Sequence, residues 1–118
     1  MTEATSPRKV AAALSELWSP RVVAEVDDAY VKVAKLHGTL AWHRHDDEDE
    51  LFLVLKGTLL LRFRDREVVL EEGEMLVVPR GVEHHPVARE EAHVLLLEPV
   101  TTRNTGDIRS ERTVDSPE

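Results

Sequence analysis

WHRHDDEDELF, residues 42–52, sets two histidines one residue apart, follows them with five consecutive acids, and runs straight into the most hydrophobic stretch of the chain. A solvent loop this acidic has no use for His-x-His, and an apolar strand has no use for a carboxylate at its mouth. Alternate residues of a strand share a face, so His43 and His45 point the same way and Arg44 points away. Two imidazoles so placed can converge on one ion at metal–nitrogen distances of about 2.1 Å. Glu50 heads the next strand, five residues after His45, and the intervening acids form a turn that lets it swing back to the same ion. The stretch therefore points to a metal site at the rim of a β-structure.

The rest of the chain supplies that β-structure. RVVAEV (21–26) and AYVKVAKLH (29–37) are β-branched and alternating, with Asp27 and Asp28 as the turn between them. ELFLVLK (50–56), TLLLRFR (58–64), EVVLE (67–71), EMLVVP (74–79), HPVA (85–88) and HVLLLEP (93–99) follow, separated by short turn signals such as Lys56-Gly57, Glu72-Gly73 and Arg80-Gly81. About eight short strands with tight turns predict an antiparallel, all-β sandwich or barrel. Before them, Val10, Leu14, Leu17 and Trp18 form one apolar stripe at helical spacing, which predicts a helix over 8–18 that ends before Pro20. Residues 1–7 read as a disordered arm, 8–100 as one domain, and 101–118 as a polar tail without periodicity.

Bulk properties narrow the function. The chain has 118 residues, enough for one domain with its own core. A net charge of −8 argues against a phosphate-tracking nucleic-acid surface and against docking on an anionic membrane. No segment reaches the roughly 20 apolar residues of a membrane span. The N-terminal stretch lacks a clean signal pattern, and the expected location is cytoplasmic. Cysteine is absent, so any metal is held by His, Asp or Glu.

A second histidine pair, His84-His85, follows the turn Pro79-Arg80-Gly81 and is 39 residues beyond His45. At this point the chain resembles the cupin superfamily. One signature of that family runs Gly, five residues, His-x-His, three or four residues, Glu, six residues, Gly; here Gly38 stands four residues before His43-x-His45, then come Glu50 and Gly57. The other runs Gly, five residues, Pro-x-Gly, two residues, His, three residues, Asn; here the series is Gly73, Pro79-x-Gly81, His84 and Ala88. The departures are the nearer glycine and Ala88 in place of asparagine. The similarity covers 38–99, and 18–38 also resembles the lead-in of small bacterial cupins labelled phosphomannose isomerase-like.

The resemblance implies a double-stranded β-helix, a jelly-roll barrel with a short N-terminal helix, and a metal held by His43, His45, Glu50 and His84. Three imidazoles and a carboxylate suit Fe, Mn, Ni, Cu, Co or Zn as a divalent ion. It also implies a homodimer, through segment 21–26 or the tail near 104–108. His85 competes with His84, but neighbouring strand residues face opposite ways and the spacing favours His84. Glu48 is a lesser alternative to Glu50, and Asp46, Asp47 and Asp49 read as a solvated turn. His37 and His93 read as surface or satisfied histidines, and Trp42 as packing at the barrel edge.

Phe52 and Val54 follow Glu50 on the same face and are candidate pocket lining, with Tyr30, and with Lys32, Arg62 or Arg64 depending on register. Some lyase cupins carry tyrosine where this chain has Phe52, which argues against base-assisted elimination. Three readings remain open: a metalloenzyme of dioxygenase or isomerase type acting on a small organic molecule, a metal-dependent small-ligand binding protein, and a dimeric structural barrel with a vestigial site.

Overall fold

The computed structural model describes residues 3–102 and Gly106. Helix α1 (Pro7–Ala13) is followed by seven strands: β1 (Arg21–Val26), β2 (Ala29–Thr39), β3 (Glu50–Lys56), β4 (Leu59–Phe63), β5 (Glu67–Leu70), β6 (Met75–Val78) and β7 (His84–Pro99). All registered strand pairs are antiparallel, in the order β1-β2-β7-β3-β6, and β4 joins β7 to β5. This is the predicted all-β jelly-roll architecture.

The expected seventh and eighth strands are a single one. β7 has 16 residues and serves both walls: His84 to Val87 pair with β4, and His93 to Leu97 lie between β2 and β3. Arg89, Glu90 and Glu91, taken from the sequence as a break, are exposed but extended where β7 passes from one wall to the other. Charge at an exposed strand position does not interrupt backbone pairing; it only marks the side chains as outward. Gly57, at φ 84°, turns β3 into β4 beside that crossing, and a Cβ there would come within 2.9 Å of the Glu91 carbonyl oxygen.

The helix is shorter than the stripe that predicted it. Ser6 accepts a hydrogen bond from the Lys9 amide at 3.2 Å and Pro7 occupies the first turn. These two residues therefore start the helix and are not part of a disordered arm. At the other end Leu14 is already extended, at ψ 140°. Helical spacing did align Trp18 with Leu14, but burial overrides it. Trp18 leaves the helix, donates from Nε1 to the His37 carbonyl at 2.9 Å, and packs inside the barrel with Phe52, Val54 and Leu96. To turn inward it adopts φ 59°, a left-handed conformation uncommon for a bulky residue.

Two apolar layers result. One fills the barrel, and the other lies between α1 and the outer sheet face, where Ala11 and Leu14 cover Val33 and Leu55. The helix leaves part of that face open. Met75, Val77 and Leu97 remain 65%, 50% and 38% exposed. Register brings them together, because Leu51 faces both Leu97 and Val77, and Leu53 faces both Leu95 and Met75. Among the described residues, no helix is long and apolar enough to cross a membrane.

Candidate metal centre

The backbone converges on the site through one pair of residues. His43 and His84 form an isolated antiparallel bridge and exchange both amide hydrogen bonds, His43 N to His84 O at 3.0 Å and His84 N to His43 O at 2.9 Å. Side chains of such a pair stand on the same face, and the two rings lie 4.3 Å apart. The Gly81 amide donates to the His45 carbonyl at 2.8 Å, so the Pro79–Gly81 turn anchors the His45 loop to the strand that carries His84. Asp49 accepts from the Arg80 amide at 2.9 Å and Glu48 from Thr101 at 2.8 Å. The acidic run is therefore more than a solvated turn: two of its members tie the loop down and leave Glu50 to face inward.

His43, His45, Glu50 and His84 are all buried, and one ligating atom from each lies within 4.8 Å of the others. His43 Nδ1 is 2.7 Å from the Ala41 carbonyl, and His84 Nδ1 is 3.0 Å from that of Val82. A ring nitrogen that donates to a carbonyl fixes the tautomer and leaves Nε2 with a free lone pair. Glu50 Oε1 is 3.2 Å from His45 Nε2 and 3.6 Å from His84 Nε2. Neither contact is aligned as a hydrogen bond: both ring nitrogens of His45, Nε2 of His84 and Oε1 of Glu50 are buried with no hydrogen-bond partner among the described residues. Buried polar atoms are costly when unmatched. Three of the four residues, His45, Glu50 and His84, thus offer an unmatched buried atom, and with His43 the set of three imidazoles and one carboxylate fits a divalent transition metal. The other candidates lie elsewhere. His85 stacks near Trp42 and sits 3.4 Å from Arg62, His93 contacts Glu91, His37 is exposed, and Glu48 is held by Thr101.

Electrostatics match this geometry. Burial, and then the neighbouring His84, push His43 down to about 4, so it is neutral at physiological pH. Burial is also the largest influence on His45, but the Glu50 carboxylate, with Glu98 and Glu48, outweighs it and raises this imidazole. Burial opposes ionisation of Glu50, yet His45 and His84 hold it well below the usual carboxylate range. A metal therefore competes with a proton at His45, and its affinity falls as pH falls.

The sign for folding follows from His43. Its pKa is depressed from 6.5, so its contribution to stability is present above pH 6.5 and lost as pH falls through about 4. A depression of this size corresponds to about 3 kcal/mol. Urea unfolding of metal-stripped protein at pH 7 and pH 4.5 is expected to show a loss of that order relative to His43→Leu. Parallel pH profiles for the two proteins would contradict a buried neutral His43.

Behind the ligands lies a cavity lined by His43, Glu50 and Glu98 and otherwise by apolar residues, including Trp18, Leu40, Phe52 and Leu96. Its empty space is about 430 Å3 with the open side included. Phe52 lines this cavity. Val54 is fully buried in the core beneath it, and Tyr30 stands off the wall beside Lys32. Arg62 and Arg64 face outward over Trp42, whereas Lys32 is inside, 3.6 Å from Glu98.

Sequence reasoning missed Glu98 and Trp18. Glu98 shares strand parity with Val94 and Leu96, both buried, so alternation along β7 was the available signal. Nothing local marks Trp18 as a barrel residue. Gly106 was equally unforeseen. At φ 61° it lies so close to the Arg44 carbonyl and the His43 ring that a Cβ would collide with both, which puts this part of the tail against the site loop. The remainder of the 104–108 contact lies outside the described residues.

Comparison with known proteins agrees with this geometry. A family model described as a cupin domain matches residues 29–99. An uncharacterized Bacillus subtilis (strain 168) protein, YdbB, is 44% identical over 63 residues, which are 52% of this chain and 56% of that protein. The chain thus spans little more than half the length of this curated relative. The crystal structure of a cupin-2 domain protein from Shewanella frigidimarina is 43% identical over 80% of this chain and 93% of its own, with a TM-score of 0.78. Likeness of fold alone extends to hydroquinone 1,2-dioxygenase from Sphingomonas sp. TTNP3, solved with 4-hydroxybenzoate bound. It is 18% identical over 80% of this chain and 72% of its own, with a TM-score of 0.66. With more than half of its length matched by the family model, the chain belongs to the cupin family.

Proposed function

We propose that this protein is a metal-dependent cupin that acts on a small organic molecule, with chemistry of dioxygenase or isomerase type. The observation that carries this reading is the set of four buried ligand atoms within 4.8 Å of one another, two of whose residues, His43 and Glu50, line a largely apolar cavity. His43, His45, Glu50 and His84 would hold the ion, which supplies a Lewis acid and, if redox-active, a platform for dioxygen. The chain's own residues do the rest. The apolar wall excludes water, the carbonyls of Ala41 and Val82 orient two of the imidazoles, and Trp18 and Phe52 limit the size and shape of what enters.

The test is turnover by metal-loaded protein against a panel of small, mainly apolar hydroxylated compounds. Dioxygen uptake with iron, or a rearranged product with manganese or zinc, is the expected result. Binding without product would select the second reading, a metal-dependent binding protein.

The open outer face supports a homodimer packed sheet on sheet. Met75, Val77 and Leu97 form one apolar patch beside Leu51 and Leu53, and exposed patches of this kind commonly mark interfaces. Light scattering is expected to give the mass of a dimer, and Met75→Glu/Leu97→Lys that of a monomer. A monomeric parent protein would remove the proposal.

A further inference from the structure

We propose that Glu98, held by Lys32, takes the hydroxyl group of the ligand: the molecule that enters the cavity is small and mainly apolar, with one end at the metal centre beside His43 and Glu50 and a hydroxyl at this carboxyl. The inference rests on reading the cavity as the ligand chamber of the metal site. Glu98 is 2% exposed and Lys32 3%, so the pair sits in the barrel interior and not on its surface. Oε1 faces Lys32 Nζ at 3.6 Å, while Oε2 is buried and has no hydrogen-bond partner among the described residues. Leu51 faces Leu97 across the β3–β7 ladder, so one residue further on, Glu50 and Glu98 come side by side on the inward face.

The cavity therefore has two polar features, the His43 and Glu50 edge of the ligand cluster and Glu98, within an otherwise apolar wall. A purely structural ion pair has no need to border a cavity. A carboxyl in either protonation state exchanges a hydrogen bond with a hydroxyl, and a methyl group of the same size cannot. Discrimination between the two is strong where a buried polar group would otherwise be left unpaired.

Phenol and toluene differ by that one group and serve as probes. Binding of each is followed by NMR through the indole N–H of Trp18, with wild type, Glu98→Gln and Lys32→Met/Glu98→Met. The double variant removes both charges and avoids stranding one of them. Each protein is tested loaded with zinc and free of metal, so that absence of zinc binding counts against the metal reading alone. Wild type is expected to prefer phenol, and the ratio of affinities is expected to shift at least tenfold toward toluene in the double variant, with Glu98→Gln between them. A phenol preference that survives in the double variant would assign the hydroxyl to the metal and overturn the proposal. Equal affinities, or binding of neither probe by wild type, would overturn it as well.

Discussion

Protein purified without a histidine tag or added metal is expected to carry close to one transition-metal ion per chain, and the His43→Ala/His45→Ala variant to carry almost none. The expectation follows from the buried atoms that lack partners. Three imidazoles packed around one carboxylate within 4.8 Å repel one another when protonated and leave lone pairs unmatched when neutral. One divalent cation answers both problems. Removing two of four donors should lower affinity by more than about 100-fold, since loss of even an outer partner of a ligand costs roughly 10- to 100-fold. Elemental analysis by mass spectrometry reads the result and names the ion. His85→Ala is the control and should keep its metal, because His85 lies outside with Trp42 and Arg62. An empty wild-type protein that stays empty after exposure to each candidate ion would defeat the metal reading and leave the barrel as a binding or dimerisation scaffold.

Trp18→Ala is expected to destabilise the fold by about 3–5 kcal/mol, the range for emptying a large aromatic site. The indole is 6% exposed and packs among the barrel core residues, and its N–H is matched by the His37 carbonyl. In a domain of this size the loss corresponds to a fall in melting temperature on the order of 15 °C. Trp18→Phe should lose much less, because it keeps most of the volume and gives up the hydrogen bond. The backbone supplies a sharper check. Position 18 has φ 59°, where a side chain costs roughly 1–2 kcal/mol relative to glycine. Trp18→Gly should therefore be more stable than Trp18→Ala by about 1 kcal/mol, the reverse of their usual order. Thermal unfolding followed by circular dichroism measures all four proteins. If alanine proves better than glycine, the left-handed conformation at Trp18 is wrong. If Trp18→Ala melts like wild type, Trp18 does not fill the barrel.

Much of the molecule was legible because its determinants are local. Period-two alternation and Gly-containing turns locate six of the seven strands to within about two residues, since a strand with one buried face repeats every second position. The His43, His45, Glu50 and His84 spacing was readable because strand parity and turn length convert directly into direction. Where determinants are not local, the reading failed. β7 was divided at Arg89–Glu91 because charge looks like a loop, while continuity of a strand depends on partners supplied by β2, β3 and β4. The helix was carried to Trp18 because helical spacing was satisfied, while an interior site for one indole exists only after the barrel closes around it.

Sequence by itself thus determined an all-β chain, the family to which it belongs, and four residues in the pattern of a metal site. Tertiary structure alone decided that the four ligand atoms meet within 4.8 Å of one another, and that Trp18 closes the barrel beside them. It also decided that a buried Lys32–Glu98 pair shares the inward face with Glu50. Parity assigns a side chain to a face, but which side chains share a cavity depends on how strands distant in sequence are set against one another. That register is a property of the closed barrel and not of any one segment.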